Sequence, residues 1–209
     1  MEVNRIIKLT LYILTVVFVL LIVPLSWAEN AKTDGPEQTV NNLQNALIHA
    51  MREGDKMNFQ ERFDFLAPAV DQSHNFNLIV RTVLGGYWAQ LDSEQQRLIV
   101  DTFRQLSIAT YAGQFKEYEG EQFELLQQRS LPRDQVLVRS QFIKSDGDTV
   151  DFDYVLQQGN DGWQIINILA DGVSDLALKR TEYRAILQRD GFQGLIELLE
   201  EKIVLAEQG

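Results

Sequence analysis

The residues able to do chemistry are few and scattered. The 209-residue chain has two histidines and no cysteine. His49 lies in a helical stretch between Ile48 and Ala50, and His74 lies in a polar turn. Neither belongs to an H-E-x-x-H motif or to an i, i+4 pair that would hold zinc, so they read as a helix-flank and a loop histidine. The lack of cysteine excludes a disulfide framework, a thiolate metal site, a cysteine nucleophile and a lipid-modified N-terminal cysteine. No G-x-G-x-x-G, G-x-x-x-x-G-K-[ST] or G-x-S-x-G sequence occurs, and Gly85-Gly86 reads as a helix terminator. Asp151 and Asp153 share one face of a strand, roughly 7 Å apart between Cα atoms. Such a pair can share a proton or hold a cation, but strand alternation turns both away from the aromatic side, where they read as a solvated acidic edge. No catalytic residue, metal or cofactor is assigned on this reading.

The apolar inventory is more informative. Eleven Phe, six Tyr and three Trp are spaced so that a long helix and two strands present aromatic faces to one interior. Such stripes are ordinarily core. A curved sheet facing helices also leaves room for an apolar cavity between the layers, and a pocket with few polar groups suits a lipid tail. Burying a tail of roughly 15 methylenes gains on the order of 12 kcal/mol at about 0.8 kcal/mol each, so no polar anchor is required. Trp88, Phe103, Tyr111, Val138, Phe152, Tyr154 and Trp163 are the candidate wall, some of them ordinary core.

The elements that must position these residues follow from periodicity. Val40, Leu43, Leu47 and Met51 make one helical stripe, closed by Gly54. A short helix around Phe59 to Leu66 is expected to stop at Ala67-Pro68, and a third carries Phe76, Ile79, Val80, Val83 and Leu84. Ser93-Glu94-Gln95-Gln96 reads as a capping box with Ser93 as cap. It opens a long helix whose face holds Leu98, Thr102, Phe103, Leu106, Thr110, Tyr111 and Phe115. From Glu121 the period falls to two and four strands follow. The third places Val150, Phe152, Tyr154 and Leu156 on one face. The fourth, Trp163 to Ala170, groups Ile165 with Leu169 and Ile166 with Ile168, so it is expected to be central or covered on both sides. Ser174 caps the first of two closing helices, which are separated near Gly191. The fold class is α+β: a curved four-stranded antiparallel sheet covered by N- and C-terminal helices, with an apolar cavity between the layers.

Residues 1–28 stand apart. Arg5 and Lys8 precede an apolar run from Leu9 to Val23, then Pro24 and Ser26-Trp27-Ala28. This pattern predicts a signal peptide cleaved after Ala28, since the run falls short of the roughly 20 residues that span a bilayer. Residues 29–37 are expected to be a disordered leader and 38–206 a single lipid-binding domain. A net charge of -11 argues against a nucleic-acid partner and against anionic lipid surfaces. An acidic, cysteine-free export product points to a Gram-negative periplasm.

Specific residues carry a family resemblance. Gly162-Trp163-Gln164-Ile165 followed by Asp171-Gly172-Val173-Ser174, then Arg180, then Gly191 with Leu195-Ile196, resembles the MlaC-like family of periplasmic phospholipid-binding proteins, also called toluene-tolerance auxiliary proteins. Tyr87-Trp88, Phe103 and Tyr111-Ala112 match upstream in type and spacing. Two positions depart: Asn167 stands where the family often has Asp, and Lys179 where it has Tyr. The stretch from Ala170 to Arg180 is closer to the branch associated with hopanoid-producing bacteria. The resemblance implies a non-catalytic lipid carrier between an inner-membrane ABC transporter complex and an outer-membrane lipoprotein complex, binding phospholipid or hopanoid. Arg180 is expected near the pocket mouth, pairing with a phosphate or an acidic neighbour. Two rival readings remain. One is a small cone-shaped α+β enzyme acting on an apolar substrate, with an inward-facing Asp151 or Asp153 as general base. The other is a protein-only adaptor with a fully packed interior.

Overall fold

The computed structural model describes residues 35–208. The expected signal peptide, its cleavage site and most of the expected leader lie outside the described residues. Helix α1 (Pro36–Arg52) begins within the segment read as leader. Pro36 at its first position has no N–H to leave unsatisfied there and brings a helix-compatible φ. Val40, Leu43, Leu47, Ala50 and Met51 are buried along one face, the amphipathic stripe expected of a helix laid on a core.

Helix α2 (Phe59–Ser73) is opened by Asn58, whose side chain accepts from the Glu61 N–H while the Glu61 carboxylate accepts from the Asn58 N–H. It does not stop at Pro68. The ring removes one backbone hydrogen bond, but Leu66 and Val70 on either side of it are fully buried and hold the helix through to Ser73. Arg104 reaches back to Asp71 with two hydrogen bonds of 2.5 and 2.6 Å, and Arg62 Nε donates to the Ala112 carbonyl at 3.0 Å. Both bind α2 to the long helix that walls the site.

Helix α3 (Phe76–Leu84) ends at Gly85, whose φ of 57° lies in the left-handed region that glycine reaches without steric cost. A 3-10 turn, Gly85–Gln90, leads to α4 (Ser93–Gln114). The cap of α4 is Asp92 and not Ser93: the Asp92 carboxylate accepts from the Glu94 and Gln95 N–H groups, and Gln95 supplies the return bond. The capping box is real but starts one residue earlier, because a carboxylate at the positive helix end gains from the dipole as well as from the bonds. Leu98, expected on the apolar face, is exposed, and Ile99 is buried in its place.

The sheet is antiparallel and runs in chain order: β1 (Gln122–Leu131), β2 (Gln135–Ile143), β3 (Thr149–Gly159), β4 (Gly162–Ala170) and β5 (Val173–Ser174). It has five strands where four were expected. The fifth is a two-residue pairing of Val173 and Ser174 with Ala170 and Leu169, too short to show in a period-two pattern. Helix α5 (Asp175–Gln208) closes the chain and is broken at Gly191, with φ 71° and ψ -166°. Its start is capped as expected, the Ser174 hydroxyl accepting from the Ala177 N–H at 3.1 Å.

A bulge in β4 changes which residues face inward. Leu156 pairs with Ile165 and Val155 with Asn167, so Ile166 is the extra residue. Ile165 and Ile168 therefore share the interior face, opposite Leu156 and Tyr154, while Leu169 opposes Asp153 on the outer face. The expected grouping of Ile165 with Leu169 is thus replaced, because strict alternation does not cross a bulge. Helix α1 lies against the interior face: Gln44 Nε2 donates to Ser140 Oγ at 2.6 Å and to Tyr154 Oη at 3.2 Å. Helix α4 and the second half of α5 approach closely at Gly113, where an added Cβ would lie 2.5 Å from the Ala206 carbonyl oxygen.

Candidate functional site

A pocket of about 560 Å³ lies between the interior face of β3 and β4 and the helices α4 and α5. Its inner end meets Leu47, Tyr154 and Ile165, which are buried. Phe103, Leu106 and Tyr111 come from α4, Phe152 from β3, Ile168 from β4, and Leu176 and Tyr183 from α5. Rings line up along the wall: Phe103 is 6.4 Å from Tyr183, and Phe152 is 6.2 Å from Phe123 between centroids. These separations suit edge-to-face and offset ring contact.

The polar atoms on this wall are largely satisfied by the protein itself. His74 follows the last turn of α2, fixed by the Asn75 N–H donating to the Ile165 carbonyl at 3.0 Å. Its Nδ1 lies 3.1 Å from the Val70 carbonyl and 2.9 Å from Ser73 Oγ. A carbonyl only accepts, so Nδ1 carries the proton and Nε2 is left to accept from the Tyr111 hydroxyl at 3.3 Å. Burial depresses the His74 pKa to about 4 and raises that of the Tyr111 hydroxyl, so both are neutral at pH 7. Ser107 and Thr110 donate back to the carbonyls of Phe103 and Leu106, and Tyr154 accepts from Gln44. Asn167 does the work of an acceptor: its Oδ1 takes the Ser174 hydroxyl at 3.0 Å and the Leu176 N–H at 3.4 Å. An interior of this kind offers a ligand mostly apolar contact.

Charge is confined to the outer wall. Asp175, Lys179 and Glu182 from the first half of α5 and Lys202 from the second half line the pocket there. Lys179 Nζ is 2.6 Å from Asp175, and Lys202 Nζ is 2.8 Å from Glu182. Among the described residues, no group of three or more His, Cys, Asp or Glu side chains is arranged to hold a metal ion.

Of the residues expected at the site, Phe103, Tyr111, Phe152 and Tyr154 lie together on the pocket wall. Val138 is fully buried in the adjoining core. Trp88 sits in the 3-10 turn and Trp163 near the start of β4, both packed against the core and neither lining the pocket. Arg180 is exposed and off the wall. Its Nη2 is 3.8 Å from the point where a Cβ of residue 85 would stand, beside Nη2 of Arg184 at 2.6 Å. Asp151 and Asp153 are on the outer face. Asp153 is not a solvated edge: it is largely buried beneath Arg139, which donates to both its carboxylate oxygens at 2.6 Å, while Asp151 accepts from Gln141 at 2.9 Å. Sequence reasoning missed most of the remaining lining, and His74, Lys179, Lys202 and Ile168 are the residues in it that bear on the chemistry or on the sheet register. His74 looked like a turn residue because α2 was expected to end at Pro68. Once the helix continues to Ser73, His74 is delivered to the interior.

A model of the MlaC protein family matches residues 41–201. The chain belongs to the MlaC family. Its fold is shared with a solved structure, the phospholipid-binding protein from Ralstonia solanacearum in complex with a phospholipid. That protein is 23% identical, with a TM-score of 0.72, over 83% of this chain and 99% of the other. The family match takes in α2, α3, α4 and all five strands whole, with most of α1 and α5, and Lys202 alone of the pocket lining lies beyond it.

Proposed function

We propose that this protein is a periplasmic carrier that holds the acyl part of a phospholipid in the pocket between sheet and helices and moves it between an inner-membrane ABC transporter complex and an outer-membrane lipoprotein complex. One observation carries the reading: an aromatic-walled pocket of about 560 Å³ whose polar atoms are mostly spent on the protein's own hydrogen bonds. That volume falls within the roughly 300–1,000 Å³ of small-molecule sites. Methylene burial at about 0.8 kcal/mol each supplies the affinity without a polar anchor. Membership of the MlaC family and the fold shared with a phospholipid-binding protein support the same reading. Phospholipid is preferred to hopanoid because the outer wall carries two lysines, which an uncharged polycycle would leave unused.

No catalytic role is proposed. The two carboxylates that the sequence offered as general bases, Asp151 and Asp153, are engaged by Gln141 and Arg139 on the far side of the sheet. The test of carriage is transfer of a fluorescent phospholipid from donor to acceptor vesicles by the purified mature protein. The transfer rate should rise in proportion to protein concentration. A rate independent of protein would overturn the carrier reading.

A further inference from the structure

The outer wall of the pocket contains a feature that tail burial does not need. Among the described residues, the lining includes two lysines, Lys179 and Lys202, on opposite sides of the break at Gly191. Both are held in place. Lys179 is bonded to Asp175, and its ammonium lies 5.9 Å from the centroid of the Phe103 ring on the pocket wall, within reach of the ring quadrupole. Lys202 is bonded to Glu182. Their side chains are 25% and 36% exposed, so they stand where the apolar wall gives way to solvent.

We propose that Lys179 and Lys202 form a clamp for the phosphodiester of the bound lipid, a site that rests on reading the pocket as a phospholipid site. An ammonium has three donors, and each of these lysines spends one on its carboxylate. The remaining donors can meet the anionic oxygens of a phosphate lodged between the two half-helices, with the tail lying inward along Phe103, Phe152 and Ile168. Charge-assisted hydrogen bonds of this kind are short and strong where water is partly excluded. The two lysines are matched by Asp175 and Glu182, so the empty wall is electrically balanced and a diester is held by the ammonium donors left over, not by net charge. The break at Gly191 has a role in this geometry, since it brings Lys202 back to the wall formed by the first half of α5.

The test compares two lipids with identical tails, dioleoylphosphatidylglycerol and dioleoylglycerol, competing with a pyrene-labelled phospholipid for the delipidated protein. The wild type should bind the phosphate-bearing lipid about tenfold tighter, the scale of one charge-assisted hydrogen bond retained at a partly wet site. Lys179→Gln with Lys202→Gln should abolish that preference, read as the ratio of the two affinities. Lys202→Arg should preserve the preference. Lys179→Gln combined with Asp175→Asn keeps the wall balanced and should still weaken phosphatidylglycerol binding, which separates lost attraction from new repulsion. Equal wild-type affinity for the two lipids, or an undiminished preference in the double lysine variant, would overturn the clamp alone. Failure of both lipids and of the pyrene probe to bind the wild type would overturn the pocket reading with it.

Discussion

The Tyr111 hydroxyl donates to His74 Nε2 across 3.3 Å on the wall of the pocket. This bond and the His74 contact with the Val70 carbonyl fix a neutral imidazole in the Nδ1–H form. A polar pair is thereby turned inward on itself, and the wall it occupies behaves toward a lipid tail as apolar surface.

The pair makes stability depend on acid. Burial holds the His74 pKa at about 4, below its ordinary 6.5, so the unfolded chain binds the proton more readily. The contribution of neutral His74 is complete above pH 6.5 and is lost as pH falls from there through about 4. The full span is on the order of 3 kcal/mol. Urea unfolding at pH 7 and at pH 4.5 should show the wild type losing more stability between the two than His74→Gln does. Equal losses would contradict the neutral, enclosed imidazole.

Filling the pocket should block binding without unfolding the protein. Ala170 lines the pocket opposite Phe152 on the neighbouring strand, and Ala170→Phe places a ring in the vacant volume. Lipid recovered with the protein should fall about tenfold, while stability changes by less than about 2 kcal/mol, because overpacking strain is relieved into empty space. Undiminished lipid binding would place the ligand elsewhere.

Much of this arrangement is legible in the sequence, for reasons that can be named. The period-two run through Val150, Phe152, Tyr154 and Leu156 fixes the interior face of β3, and Phe103 and Tyr111 fall on the pocket side of α4 because helical spacing puts them there. What escapes sequence reasoning is set by tertiary contact. The bulge at Ile166 brings Ile168 inward and turns Leu169 outward, and no local signal marks it. The continuation of α2 past Pro68, which delivers His74, depends on Leu66 and Val70 being buried by distant elements. Arg180 belongs to the resembling motif, yet its turn of α5 directs it toward Gly85, while Lys179 beside it reaches the pocket.

The close approach of α4 and α5 should be sensitive to side-chain size. A Cβ at residue 113 meets the Ala206 carbonyl oxygen at 2.5 Å, a backbone atom that cannot rotate away. Gly113→Val should therefore cost about 2 kcal/mol, the scale of an overpacked core site. Gly113→Ala should cost less. The denaturation midpoints of the two variants measure this. An unchanged midpoint for Gly113→Val would show that the helices part freely.

The outer-face carboxylates should matter to the sheet and not to the ligand. Asp153→Asn weakens a cross-strand pair whose arginine is substantially exposed, so the loss should stay at or below about 1 kcal/mol. Asp151→Asn with Asp153→Asn should leave lipid binding at the wild-type level. A large loss of binding would revive a role for these carboxylates in the site.

The most direct measurement is to export the protein in a Gram-negative host, purify the exported form, extract it with organic solvent and identify the lipid by mass spectrometry. The account predicts near-stoichiometric phospholipid, reduced in Ala170→Phe. A lipid-free extract, obtained also from the native host, would contradict it and favour a protein-only adaptor.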